Sequence, residues 1–230
     1  MRLRDAAAIR IAWPLALALY STGCARDASG NAAAAHSPAA THAPSRAGIA
    51  SPPIVAAARA QIGVTVHYDP TYTVLPYPGG DVPLDRGVCT DVVIRALRAQ
   101  GLDLQRAVHE DMRAHFDAYP RRWGLRAPDP NIDHRRVPNL QLWFERQGWS
   151  MPVSGQPEDY HAGDLVTWRL PGNLPHIGIV SDRRAWSGTP LVLHNVGSGT
   201  REENVLFDYT ITGHYRPTTP PTPATNQSRR

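Results

Sequence analysis

The chain has 230 residues, 42% of them hydrophobic, and carries 24 basic side chains, all arginine, against 20 carboxylates. This length suits one domain of ordinary size with tails. The formal charge of +4 is unevenly spread, because residues 53–216 hold 17 arginines and 18 carboxylates, a net charge of −1, whereas the flanks hold +5. A domain that is not basic argues against nucleic acid as a partner, since phosphate binding needs clustered cations on the folded part.

The first 24 residues have the pattern of an export signal. Three arginines precede an apolar stretch at residues 11–20, which is too short to span a bilayer, where about 20 apolar residues are needed. Gly23-Cys24 resembles the end of a bacterial lipoprotein signal, in which the cysteine is lipidated, although Ser21 stands where that pattern usually has leucine. We therefore expect an exported, periplasmic protein that a lipid on Cys24 anchors to a membrane. Cleavage to a soluble periplasmic or secreted form is the alternative.

The segments that flank the domain lack apolar periodicity. Residues 25–52 are rich in Ala, Ser, Pro and Gly and are interpreted as a flexible tether, and residues 217–230 as a disordered polar tail. The domain is thus assigned to residues 53–216, and Cys89 is its only cysteine. In an oxidising compartment, where cysteines usually occur in pairs, such an odd thiol is a candidate for a reactive group.

Helices are predicted in the first half of the domain and strands in the second. Apolar spacing and end signals predict helices at residues 54–62, from Cys89 to before Gly101, through 109–119, and from Pro138 to before Gly148. Alternation of apolar and polar residues predicts strands at residues 164–168, 176–181, 191–195 and 211–216. Helices followed by antiparallel strands predict an α+β domain.

Cys89 falls in the first turn of its predicted helix. Unpaired amides and the positive end of the helix dipole favour an anion there, and thiol pKa values at such positions fall from about 8.5 into the range of roughly 3.5–7.5 when a base assists. Cys89 is therefore a candidate nucleophile, and a small buried hydrophobe is the alternative. Asp91, in the same turn, is interpreted as a helix cap and not as a catalytic group.

A base and a group to orient it are available on the predicted strands. If residues 176–181 and 191–195 form an antiparallel hairpin, His176 faces His194 or Asn195, and opposed side chains lie about 5 Å apart. Direct pairing of His176 with His194 would put both rings on one face, so we favour His194 as the orienting group. Asn195 points to the other face and is retained as a substrate contact.

Cys89, His176 and His194 thus supply a nucleophile, a base and an orienting group in chain order. A metal site is the competing use of cysteine and histidine. The sequence has no close ligand pair such as Cys-x-x-Cys or His-x-x-x-His. We therefore expect neither a metal nor another cofactor.

The stretch at residues 121–137 is a long, polar, proline-punctuated loop, and loops of this length inside a compact domain are often functional. Arg135 and Arg136 are candidates for binding substrate carboxylates, because an arginine fork binds a carboxylate with two parallel hydrogen bonds. A solvated pair with Asp129 or Asp133 is the alternative.

Several motifs resemble known families. Tyr-Pro-Gly-Gly at residues 77–80 ahead of Cys89, Gly-Asp-Leu-Val at 163–166 and His-Ile-Gly-Ile-Val at 176–180 resemble the NlpC-type branch of the papain-like cysteine peptidases. A closer resemblance, over most of residues 54–216, is to the bacterial domain-of-unknown-function 1287 family. The segments that carry it are Gly87–Ala96, Val108–Met112, Asn131–Leu140 and Thr212–Arg216.

The resemblance to the NlpC-type branch implies a papain-like α+β fold, in which the helix with the cysteine packs on an antiparallel sheet. It implies Cys89, His176 and His194 as the catalytic residues and Tyr77 as a pocket residue. Exported relatives often cleave peptide bonds in peptidoglycan stems, so the resemblance implies a monomeric thiol amidase or peptidase that acts on peptidoglycan through a cysteine acyl-enzyme.

The motif around the cysteine departs from the family pattern. Val88-Cys89-Thr90-Asp91 stands where the superfamily commonly has Asp-Cys-Ser-Gly, which affects the expected substrate more than the chemistry. Two alternatives therefore stay open. One is a non-catalytic cell-wall-binding lipoprotein, and the other is a thiol acyltransferase.

Overall fold

The structure is a computed structural model that describes residues 51–218. This part of the chain is a mixed α+β domain with four α-helices and a six-stranded antiparallel sheet. None of its helices is long and apolar enough to cross a bilayer. The predicted export signal with Cys24, residues 25–50 of the predicted tether and residues 219–230 of the predicted tail lie outside the described residues.

The helices are α1 (Pro53–Arg59), α2 (Cys89–Arg98), α3 (Leu104–His115) and α4 (Val137–Arg146). The strands are β1 (His67–Tyr68), β2 (Arg86–Gly87), β3 (Ser150–Met151), β4 (Leu165–Leu170), β5 (Leu174–Arg184), β6 (Pro190–His194), β7 (Arg201–Glu203) and β8 (Thr210–Tyr215).

The predicted starts of α2 and α4 are confirmed within one residue. Gly101 and Gly148 follow their last turns with positive φ of 84° and 72°, a conformation that ends helices and that glycine adopts without strain. The third helix contains the predicted residues 109–112. It begins at Leu104, where Asp103 caps it by accepting the backbone N–H of Gln105 at 3.2 Å, and it ends at His115, followed by a 3₁₀ turn at Phe116–Ala118.

The main sheet has the strand order β3-β8-β4-β5-β6-β7, and all neighbours are antiparallel. Strands β1 and β2 form a separate parallel pair just before α2. The four predicted strands are confirmed, whereas β3 and β7 were not predicted. With two and three residues, these strands are too short to give a periodic signal.

The sheet is buried on both faces. On one face Ile177, Ile179 and Leu193 pack in the cluster that contains Cys89 and the apolar side of α2. On the other face Val166, Trp168, Val180, Val192, Tyr160 and Leu206 form a second cluster. Because side chains alternate along a strand and opposed residues share a face, His176 and His194 belong to this second face.

The register of β5 and β6 differs from the prediction by two residues. Val180 pairs with Val192. His194 therefore lies opposite Gly178. The predicted pairing of His194 with His176 is wrong. The pairing is irregular towards the hairpin turn, and the sequence spacing does not reveal this irregularity. Since the shift is an even number, both histidines still share one face.

Candidate active site

Cys89 is the first residue of α2 and lines a cleft of about 230 Å³. The preceding residue, Val88, has an extended backbone, and its N–H donates to the Asp91 carboxylate at 2.6 Å. This contact confirms Asp91 as a cap at the start of the helix. Cys89 is 5% exposed, so it is buried at the wall of the cleft.

The two histidine rings are joined by a hydrogen bond, with 2.9 Å between His176 Nε2 and His194 Nδ1. They are diagonal neighbours across β5 and β6, a distance that long side chains can bridge. Gly178 lies between them. A β-carbon there would be 2.6 Å from Val192 Cγ1 and 3.2 Å from His194 Cβ, so glycine leaves room for the two rings to meet.

Glu203 extends this chain of hydrogen bonds. Its Oε2 lies 3.0 Å from His194 Nε2, and its side chain, at 36% exposure, is the end nearest to solvent. Glu203 lies on β7, the strand that was not predicted. Glu203 therefore directly contacts a predicted catalytic histidine, although no signal in the sequence pointed to it.

The thiol of Cys89 meets the sheet beside His176. The backbone amide of Ile177, the next residue, is among the groups that favour its thiolate form. The His176 ring lies on the Trp168 face of the sheet, with 5.8 Å between the two ring centroids. Within residues 51–218, no hydrogen bond joins Cys89 to His176, and the one hydrogen bond of the His176 ring is made by Nε2 and not by Nδ1.

The protonation states of this group are set mainly by burial. Burial raises the pKa of the Cys89 thiol to about 12, although the backbone amides of Ile177, Thr90 and Cys89 favour the thiolate. Burial, together with the charge of His194, lowers the pKa of His176 to about 3. The expectation of a low thiol pKa is wrong for this structure, because desolvation outweighs the helix N-terminus. The resting pair is a thiol and a neutral imidazole.

Arg135 has a different role from the one predicted. Its Nε and Nη2 donate to the two carboxylate oxygens of Asp91, each at 2.9 Å. The two side chains are 2% and 4% exposed, so the pair is buried and neither Asp129 nor Asp133 is the partner. The fork of Arg135 is occupied within the protein. It fixes the loop at residues 121–136 to the first turn of α2.

Arg136 is placed at the cleft. Its Nη1 donates to Asp133 at 3.1 Å, and its guanidinium carbon lies 4.1 Å from the ring centroid of Trp123. Both Arg136 and Trp123 line the cleft beside Cys89. The remaining walls are mainly apolar and include Tyr68, Pro70, Ile132, Pro138 and Pro175. The loop that was predicted to be functional thus forms one wall of the cleft, and it carries both Arg136 and Arg135, whose fork is taken up by Asp91.

Two further predicted contacts lie outside the cleft lining. The Tyr77 ring packs edge-on against His109 of α3, 5.1 Å between centroids. Asn195 is fully buried, and its Nδ2 donates to the Gly87 carbonyl at 3.0 Å. We therefore reassign Asn195 from substrate binding to positioning, since it ties the end of β6 to the residue that precedes the cap of α2.

A metal centre and a larger cavity are the two other kinds of site that the described residues could form. Among the described residues, no three His, Cys, Asp or Glu side chains converge as a group that could hold a metal ion. A larger cavity, of about 520 Å³, is lined by Ile54, Leu97, Trp149 and Arg216 among others. It contains none of the candidate catalytic side chains, so the smaller cleft at Cys89 is the candidate active site.

Fold and site define a class: an α+β domain in which a cysteine at a helix start adjoins a hydrogen-bonded histidine pair on an antiparallel sheet. The chain belongs to the family described as a domain of unknown function (DUF1287), whose sequence model matches residues 55–217. It is 61% identical over 159 residues to "Uncharacterized protein YijF" of Escherichia coli (strain K12), which covers 69% of this chain and 78% of that relative. The predicted membership of the domain-of-unknown-function 1287 family is thereby confirmed.

Proposed function

We propose that the chain is an exported thiol amidase or peptidase of the papain-like, NlpC type, which cleaves amide bonds in peptidoglycan stem peptides. The observation that carries the proposal is the placement of Cys89 at a helix start, in a cleft, against the strand residue that follows His176. The His176–His194 hydrogen bond supports it, because a general base needs a group that holds its ring in place.

The reaction would begin from the neutral pair. The thiol attacks the carbonyl carbon, an S–C bond forms, and His176 Nδ1 takes the thiol proton. The oxyanion is stabilised in part by the backbone N–H of Cys89 at the start of α2. The C–N bond then breaks as the imidazolium returns its proton to the leaving amine, and water hydrolyses the thioester. Because His176 lies on the Trp168 face of the sheet and Cys89 packs with the other face, the His176 ring would have to turn round the end of β5 to complete the base contact, and catalytic contacts often form fully only when substrate is bound.

The cleft matches a peptide that carries a carboxylate. Arg136 uses one donor for Asp133, and an arginine has five, so donors remain for a substrate anion. Trp123, stacked on the guanidinium, holds the fork in a fixed plane. Peptidoglycan stems carry carboxylates, and the apolar walls fit their short aliphatic side chains.

One observation favours a second candidate, a non-catalytic cell-wall-binding module. Burial raises the pKa of Cys89 to about 12, as it does for an inert structural thiol. Such a module would bind stem peptides in the same cleft without cleaving them. Turnover therefore separates the two candidates.

The test is release of peptide fragments from purified peptidoglycan by the purified full chain, followed by liquid chromatography and mass spectrometry. We expect Cys89→Ala to abolish release. Cys24→Ala, the matched change at the chain's other cysteine, should leave it unchanged in this assay. Binding without any release supports the wall-binding module. Release at the wild-type rate by Cys89→Ala would refute the thiol mechanism. Products joined to an added amine would indicate acyl transfer.

A further inference from the structure

We propose that Glu203 is a positioning residue that sets the tautomers of His194 and His176. In this way Glu203 leaves Nδ1 of His176 without a proton and therefore free to accept one. The proposal deepens the proposed function and rests on it for its catalytic consequence. Its structural part concerns only where two protons lie, and it can be measured in the resting protein.

The positions of the protons are fixed from the end of the hydrogen-bonded series that is nearest to solvent. A carboxylate oxygen can only accept a hydrogen bond, so the 3.0 Å contact with Glu203 Oε2 requires that His194 Nε2 carries the proton. A neutral imidazole has one N–H, so His194 Nδ1 is then an acceptor. The 2.9 Å contact between the rings therefore requires that His176 Nε2 donates. His176 Nδ1 is left with its lone pair.

The neutrality of both rings, which this argument needs, follows from their surroundings. Both side chains are buried. The His176 ring packs against Trp168, and His194 lies on β6, which is paired with β5 on one side and with β7 on the other. Burial lowers the pKa of each, and the charge of Glu203 opposes this only for His194. At neutral pH each ring thus has one donor and one acceptor, and Glu203 selects which is which.

Replacing the Glu203 carboxylate, an acceptor, by a donor should reverse the direction of both hydrogen bonds, the one to His194 and the one between the two rings. In Glu203→Lys, the ammonium can only donate, so His194 Nε2 would become the acceptor and its Nδ1 would carry the proton. His176 Nε2 would then accept, and the proton of His176 would move to Nδ1. In a serine protease a wrong histidine tautomer lowers kcat by about 10⁴-fold with the geometry intact, so a loss of about 10²–10⁴-fold is expected here.

The test is two-bond ¹H–¹⁵N correlation of the histidine rings in the ¹⁵N-labelled full chain at pH 7. We expect the Nε2–H tautomer at both rings in the wild type and the Nδ1–H tautomer at both in Glu203→Lys. Glu203→Gln keeps an acceptor oxygen and should keep the wild-type tautomers. Glu158→Lys, the same charge change at an exposed carboxylate, should do likewise.

The results separate this inference from the proposed function. An Nδ1–H tautomer at His176 in the wild type, or unchanged tautomers in Glu203→Lys, would overturn it. With peptidoglycan as substrate, Glu203→Lys should lower kcat with little change in KM, and Glu203→Gln should restore activity to within about tenfold of wild type. Reversed tautomers in a protein without any turnover would leave the role of Glu203 standing and refute only the hydrolase.

Discussion

The buried ion pair between Asp91 and Arg135 fixes the start of α2. The substitution Asp91→Asn tests how much this pair contributes to the free energy of unfolding. The substitution keeps the shape of the side chain but leaves the Arg135 guanidinium, 2% exposed, without its counter-charge. Removing one partner of a buried pair costs about 3–5 kcal/mol of unfolding free energy. In a domain of this size each kcal/mol shifts Tm by about 2–4 °C, so we expect Tm to fall by about 6–20 °C.

Urea unfolding followed by circular dichroism gives the free energy directly. Arg86→Gln is the matched control, because Arg86 is 45% exposed and its contacts with Asp85 and Asp69 are 3.3–3.4 Å long. Exposed pairs of this kind contribute about 0–1 kcal/mol. A loss below about 1 kcal/mol for Asp91→Asn, equal to that of the control, would refute the reasoning that the pair holds the site together.

Three further predictions concern the site itself. Gly178→Ala should lower the free energy of unfolding by about 1–3 kcal/mol in the same urea experiment, because its β-carbon would crowd β6, whereas Gly155→Ala meets nothing within 4 Å and should have little effect. Alkylation of Cys89 by iodoacetamide in the Cys24→Ala protein should accelerate about tenfold per pH unit from pH 7 to 10, because burial raises its pKa to about 12. An alkylation rate that levels off below pH 8 would contradict this high pKa. Because the unfolded chain loses the thiol proton at a lower pH than the folded protein does, the raised pKa of Cys89 also lowers the free energy of unfolding as the pH rises from about 8.5 towards 12. Arg136→Met should raise KM about tenfold for stem peptides with a free carboxylate, because the guanidinium that binds the carboxylate is lost. KM for the same peptides with an amide-capped end should not change. An equal rise in KM for both kinds of peptide would exclude carboxylate binding by Arg136.

The start of α2 could be predicted because its signals are local. The turn before Cys89, the apolar spacing after it and Gly101 at its end all lie within about four turns of one helix, and each acts through the backbone of its own segment. The same holds for the strands that carry His176 and His194. Their shared face was predictable because alternation survives any even shift of register.

The partners of the site residues could not be predicted in this way, since they come from distant segments. Arg135 meets Asp91 across 44 residues of sequence, through a loop whose path no periodicity describes. Glu203 lies on a three-residue strand that exists only because β6 offers it an edge. The high pKa of Cys89 reflects burial by the whole fold, whereas the sequence shows only the helix start.

The central claim is that the Cys89 thiol attacks a substrate carbonyl, and trapping the acyl-enzyme tests it most directly. The full chain with Cys24→Ala is mixed with a synthetic stem peptide, quenched in acid during turnover, and analysed by intact mass and peptide mapping. We expect a mass increase equal to the acyl part of the cleaved peptide, located on Cys89 and absent from Cys89→Ala. Cleavage that proceeds at the wild-type rate in Cys89→Ala, with no adduct on Cys89 in the parent protein, would contradict the account.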